Sequence, residues 1–375
     1  MKKNFLFRLS AIAMSLILVA CGGSTSEDVV ENETTAIESE ESLNVVVTTP
    51  MLGEFVKQVA GDSVVLDILM PAEADPHTYD PSPQDAAKIA DADIVLYVGI
   101  KYETSSLLKL IENTASTNAT LLEIGEEIDP IEFKDGERDH GHHDDHDEDG
   151  HDDHDEEGHD DDKDHDHDDE DGHDDHDEEG HDDEGHDDED GHEGHDHGSE
   201  DPHFWFDPVR VAMAVEVIKD SLVSLDPANS STYEANADNF ISELTDLDAQ
   251  VKELIESVSE DNRKIVTTHE ALGYLEARYG IEIFATIIPS LSTADEISPS
   301  QIADVIDVIE DNNIKVLFVE SEAPSVYAET VVAEAGITAV TGLYVETLKD
   351  GQTYSDFLIS NVTLIVESLN SAGEG

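Results

Sequence analysis

At 375 residues the chain has room for two ordinary domains. Its 92 Asp and Glu against 18 Lys and Arg give a net charge of −74, which excludes nucleic acid and anionic lipid surfaces as partners. A single cysteine excludes an internal disulfide and a thiolate metal site.

The first predicted element is an export segment. Lys2, Lys3 and Arg8 form a basic region, and an apolar run follows to Ala20 that is too short to span a membrane as a helix in its own right. Leu18-Val19-Ala20-Cys21 resembles the bacterial lipobox. The resemblance implies cleavage before Cys21 and a lipid on that cysteine. We expect a signal peptide over 1–20 and a disordered tether over 21–42, rich in Ser, Thr and Glu. The mature protein would then be extracytoplasmic, anchored to the membrane through Cys21, in a periplasm or on the outer face of the cytoplasmic membrane.

From there strands and helices alternate. Strands are predicted at 44–49, 64–70, 93–99 and 119–124, with helices at 50–60, from Ser82-Pro83, and near 103–113. Ser82 caps its helix with Pro83 at the first position. Residues 140–197 are low-complexity repeats of the Gly-His-Asp-Asp type, with 33 acids and one base. Such a segment cannot bury a core, so we read 135–200 as a disordered loop inserted into a folded lobe. Asp207-Pro208 opens the next helix. A long helix follows, with Tyr233, Phe240, Leu244, Leu247, Val251, Leu254 and Val258 on one apolar stripe uninterrupted by Gly or Pro.

The second half repeats the pattern. Strands are predicted at 264–268, 281–287, 315–320 and 337–341. Helices are predicted at 269–279 (with Thr267 and Glu270 at capping-box spacing), from Ser298, at 326–335 and at 354–369. The fold class is therefore α/β: two βα-rich lobes joined by one long rigid helix, with a cleft between them. The expected partition is 43–228, the helix 229–260, and 261–375. Ligands of such sheets bind outside the carboxyl ends of the strands.

Of 19 histidines, 16 lie in 140–197. The other three are His77, His203 and His269, each at a loop or strand end. Three imidazoles form the nitrogen-rich set that zinc favours over magnesium or calcium. The remaining position needs a carboxylate or a water. A hydrolase would keep a water there, but the chain has no His-Glu-x-x-His helix and no spare base is evident beside the histidines.

Three segments together resemble the zinc/manganese solute-binding lipoproteins that serve ABC importers. They are Pro76-His77-Thr78-Tyr79 with Pro81, Asp201-Pro202-His203-Phe204-Trp205, and Thr268-His269 followed by Ala271, Gly273 and Tyr274. The likeness covers essentially the whole mature chain outside the acidic loop. It implies a non-enzymatic, monomeric carrier that delivers Zn2+ to an importer permease, with His77, His203 and His269 as ligands. The family's fourth ligand is commonly an aspartate before the last helix, and here Glu346 stands at that place. Asp350 is the local alternative and Glu320, at a strand end, the distant one. In manganese-preferring members a glutamate usually matches His269, so three imidazoles favour zinc over Mn2+. His-rich loops are likewise typical of zinc-preferring members, and His140, His142, His143, His146, His195 and His197 are read as auxiliary, weak, multivalent capture sites. The rival readings are a manganese carrier of the same family, and a surface adhesin or zinc buffer with no importer.

Overall fold

The computed structural model describes residues 42–133, 200–322 and 326–373. Cys21, the signal segment and the tether up to residue 41 lie outside these residues, as do all the loop histidines, including His140, His142, His143, His146, His195 and His197.

The first lobe runs β1 (Leu43–Val47), α1 (Pro50–Ala60), β2 (Val64–Ile68), α2 (Pro83–Ala90), β3 (Ile94–Tyr97), α3 (Ser105–Thr114) and β4 (Thr120–Glu123). Its sheet is all-parallel, in the order β2-β1-β3-β4. Two helices follow, α4 (Pro208–Leu225) and α5 (Ser230–Glu256). The second lobe runs β5 (Lys264–Thr267), α6 (Gly273–Tyr279), β6 (Glu282–Thr286), α7 (Pro299–Asp311), β7 (Val316–Glu320), α8 (Val326–Ala335), β8 (Thr338–Leu343) and α9 (Tyr354–Gly373). Its sheet is also all-parallel, in the equivalent order β6-β5-β7-β8.

Local chemistry sets the helix starts. Thr49 accepts from Leu52 N–H with Pro50 next in line, and Asp207 accepts from Val209 N–H ahead of Pro208. Ser82 with Asp85 and Ser298 with Gln301 close complete capping boxes. The inner strands bury both faces, as parallel strands between helices must. Val45 and Val47 face one core, and Val46 faces a second core under α2 and α3.

The 27 residues of α5 make a rod about 40 Å long. Its stripe of Tyr233, Phe240, Leu244, Leu247, Val251 and Ile255 is buried, and the helix packs against α1, α4 and α9. Ile255, rather than Leu254, fills the stripe near its end; Leu254 is only half-buried. One hydrophobic core therefore runs without a break from Val45 and Phe55 in the first lobe to Phe318 and Phe357 in the second. Phe55 of α1 meets the Tyr354 ring of α9 edge-on at 5.4 Å, and Phe206 packs on Phe357 at 5.6 Å. Such aromatic pairs add about 0.5–1.5 kcal/mol beyond their buried area.

One predicted element is corrected. The helix expected at 269–279 begins only at Gly273. The Thr267 hydroxyl does not cap it but donates to the His269 carbonyl at 3.0 Å. The Glu270 N–H is taken by Ser290 O at 3.0 Å, and the Glu270 carboxylate accepts from the Thr286 hydroxyl. The backbone after β5 is thus tied to the neighbouring β6–α7 connection and cannot wind into a first turn.

Candidate metal centre

In each sheet the first strand, β1 or β5, is flanked by the second strand on one side and the third on the other, so the chain reverses direction across it and a crevice opens at the carboxyl ends. His269 stands just past β5 at that switch point. His77 lies between β2 and α2, His203 just before α4, and Glu346 just past β8.

Each histidine is held by a carboxylate. Asp75 Oδ1 accepts the His77 backbone N–H at 3.0 Å and sets the turn around Pro76. Asp201 Oδ1 accepts from both the backbone N–H and the Nδ1 of His203, each at 2.8 Å. Glu320 takes the His269 backbone N–H at 3.0 Å through one oxygen and pairs with Nδ1 through the other. Fixing Nδ1 as the donor leaves Nε2 of His203 and His269 with its lone pair free to ligate. The approach at Asp201 is close: a Cβ on Gly273 would lie 2.5 Å from Asp201 Oδ2, so a larger residue there would push on the carboxylate that holds His203.

The free atoms converge. Glu346 Oε1 lies 2.7 Å from His269 Nε2 and 3.4 Å from the Nε2 atoms of both His77 and His203. One ligand atom from each of His77, His203, His269 and Glu346 lies within 4.8 Å of the others. A tetrahedral zinc with bonds of about 2.0–2.1 Å separates its ligand atoms by roughly 3.3 Å, close to the two longer distances. His203 and His269 are fully buried and Glu346 is 1 % exposed. All three Nε2 atoms and both Glu346 oxygens are buried without a hydrogen-bond partner among the described residues. Orphaned buried polar atoms cost about 1–3 kcal/mol each, so five in one spot fit a small cation.

The electrostatics follow from burial and pairing. Burial pulls the His203 imidazole down, but Glu346 and Asp201 outweigh it and hold its pKa up to about 9. His269 is likewise held well above its ordinary value, burial being outweighed by Glu320 and Glu346. Glu346 is held well below the carboxylate range because His203 and His77 overcome its desolvation. Nearby Glu322 moves the other way: burial, then the Glu346 charge, pushes it up to about 8.

Of the residues singled out in the sequence, the structure brings together His77, His203, His269 and Glu346. Asp350 is exposed and outside the group. Glu320 is not in the group; both its oxygens are bonded to His269. Sequence reasoning missed the partner role of Asp201, although it stands in the same Asp-Pro-His segment as His203. It also missed Tyr102, whose ring lies 5.3 Å from that of His77 and whose hydroxyl donates to the Glu346 carbonyl at 3.0 Å. No local pattern marks Tyr102 or Glu322.

The family model of the zinc-uptake complex component A, periplasmic, matches residues 45–368. The manganese-binding lipoprotein MntA of Halalkalibacterium halodurans is 24 % identical over 374 residues, covering 98 % of this chain and 99 % of that protein. The zinc-binding lipoprotein AdcA of Streptococcus pneumoniae is 29 % identical over all of this chain, which spans 62 % of AdcA. Among solved structures, the periplasmic zinc-binding protein TroA of Treponema pallidum superposes with a TM-score of 0.65 at 21 % identity, over 87 % of this chain and 98 % of TroA. A likeness at that identity bears on the fold. No helix among the described residues is long and apolar enough to cross a membrane.

Proposed function

Because the chain belongs to the zinc-uptake complex component A family, we propose that it is a lipid-anchored, extracytoplasmic carrier that binds Zn2+ and hands it to an ABC importer permease. The observation that carries this reading is the convergence of three imidazole Nε2 atoms and one carboxylate, all buried and without hydrogen-bond partners among the described residues. In this reading His77, His203, His269 and Glu346 are the ligands, and Asp201 and Glu320 orient two of them. The protein itself fills four positions, as suits a carrier rather than a hydrolase that must keep a water. The first lobe supplies His77 and His203 and the second His269 and Glu346, so binding ties the lobes together. Cys21 carries the lipid, and the loop histidines raise the local zinc concentration.

Relatives are named for zinc, for manganese and, in Streptococcus pyogenes MtsA, for iron, so the choice of metal rests on ligand chemistry. Three neutral imidazoles suit zinc better than manganese, which prefers oxygen ligands. Zinc titration of a chain lacking residues 140–197, beside its His203→Ala variant, tests the site. The shortened chain should keep tight binding and the variant should lose it; the reverse result removes the cleft model. Manganese displacing zinc at equal free concentration, read by native mass spectrometry, would make this a manganese carrier.

A further inference from the structure

We infer that Glu322 is a positioning residue for Glu346, folding the backbone turn that carries the fourth ligand. The inference rests on the metal-site reading above.

After Leu343 the chain leaves β8 and loses its ladder partners; the last such bond is Ser321 N–H to Leu343 O at 2.8 Å. The backbone groups of the next four residues must find partners elsewhere or stay buried and unpaired. Asn361 of α9 takes the N–H and the carbonyl of Tyr344, at 3.1 and 2.6 Å. A single oxygen, Oε1 of Glu322, accepts the N–H groups of Val345, Glu346 and Thr347 at 3.0, 3.2 and 3.4 Å. The carbonyls face the other way, into the first lobe. Trp205 Nε1–H donates to Val345 O at 2.7 Å and Tyr102 to Glu346 O at 3.0 Å.

Three successive N–H groups curled around one carboxyl oxygen form a nest, and here the acceptor is the protein's own side chain. The curl fixes where the Glu346 side chain leaves the turn. Glutamate at this place is one methylene longer than the aspartate the family resemblance implies, so its reach has to be set by the backbone beneath it. Glu322 stands two residues past Glu320, which fixes His269 through N–H and Nδ1. One short stretch at the end of β7 therefore sets both ligands of the second lobe.

The test measures zinc affinity against a chelator, zinc release rate, and the visible spectrum of the cobalt(II)-loaded protein. It uses the full chain as wild type, Glu322→Ala, Glu322→Gln, Glu346→Ala and the Glu322→Ala/Glu346→Ala double variant. Loss of an outer-shell partner typically weakens metal binding about 10–100-fold, and Glu322→Ala should fall in that range through faster release, with an altered cobalt spectrum. Glu322→Gln keeps a carbonyl acceptor for the three N–H groups and should restore affinity and spectrum. In the Glu346→Ala background Glu322→Ala should add nothing, since the ligand it positions is gone. A wild-type release rate and cobalt spectrum in Glu322→Ala overturns the inference, as does an equal loss in both backgrounds. If Glu322→Ala does not fold, Glu322→Asp decides. One methylene shorter, it should draw the turn back and alter the spectrum, and an unaltered spectrum overturns the inference. Wild-type binding by Glu346→Ala would instead remove the ligand reading itself.

Discussion

Asp201 shows how much of the proposed metal site lies one bond behind the converging atoms. It grips His203 at two points, and its charge raises the basicity of the ring. Asp201→Asn keeps the shape and loses the charge, so zinc affinity should fall about 10–100-fold while the circular dichroism stays native. Chelator competition reads this directly, and wild-type affinity would show that geometry alone suffices. The same carboxylates set the pH response. The His203 pKa is raised to about 9, above its ordinary 6.5. In chelator-treated protein its stabilisation is therefore complete below about pH 6.5 and disappears as pH rises through about 9. Zinc bound as proposed would have to displace those protons, so its affinity should weaken as pH falls. The urea midpoint of chelator-treated protein should fall from pH 6.5 to 9, while the extra stability conferred by zinc should grow over the same range. Parallel profiles with and without zinc would contradict this. At this scale the histidines were legible because they alone stand outside the low-complexity stretch. Their partners were not: Glu320 is 51 residues from His269, and only the β5–β7 pairing brings them together.

Among the elements, α5 carries the largest consequence. Leu247 sits in its buried stripe, within the core that both lobes share. Leu247→Ala should cost about 2–5 kcal/mol. Because the core is continuous, both lobes should lose that stability together, in one calorimetric transition. Two separated transitions would show that the lobes have independent cores. The stripe of α5 and the caps at Ser82, Asp207 and Ser298 were readable because helix period and cap chemistry are local. The start of α6 was not. Thr267 and Glu270 have capping-box spacing, but both side chains are claimed by other partners, His269 O and Thr286, which no window of sequence contains. The Asp201 contact of Gly273 was likewise invisible, since it joins segments 72 residues apart in different lobes.

For the whole molecule, charge is the dominant variable. Removing the 33 acids and one base of 140–197 still leaves −42 on the rest. At 0.15 M salt charges feel one another over about 8 Å, and at 1 M over about 3 Å. Self-repulsion of the folded chain should therefore relax as salt is raised, and the thermal midpoint should climb from low to molar salt; a falling midpoint contradicts this. The two-lobe α/β architecture was legible because the βα alternation repeats on both sides of one long helix. The continuity of the core across the lobes was not, because it depends on which faces of α1, α4 and α9 meet α5.

Trp205 is the only tryptophan in the chain. Its indole lies 5.5 Å from the His203 ring and its N–H is bonded to the Val345 carbonyl, next to Glu346. The protein thus carries its one indole at the seam where side chains from both lobes meet. Its emission should report the loading and parting of the lobes in real time, without a label and without background from any second indole.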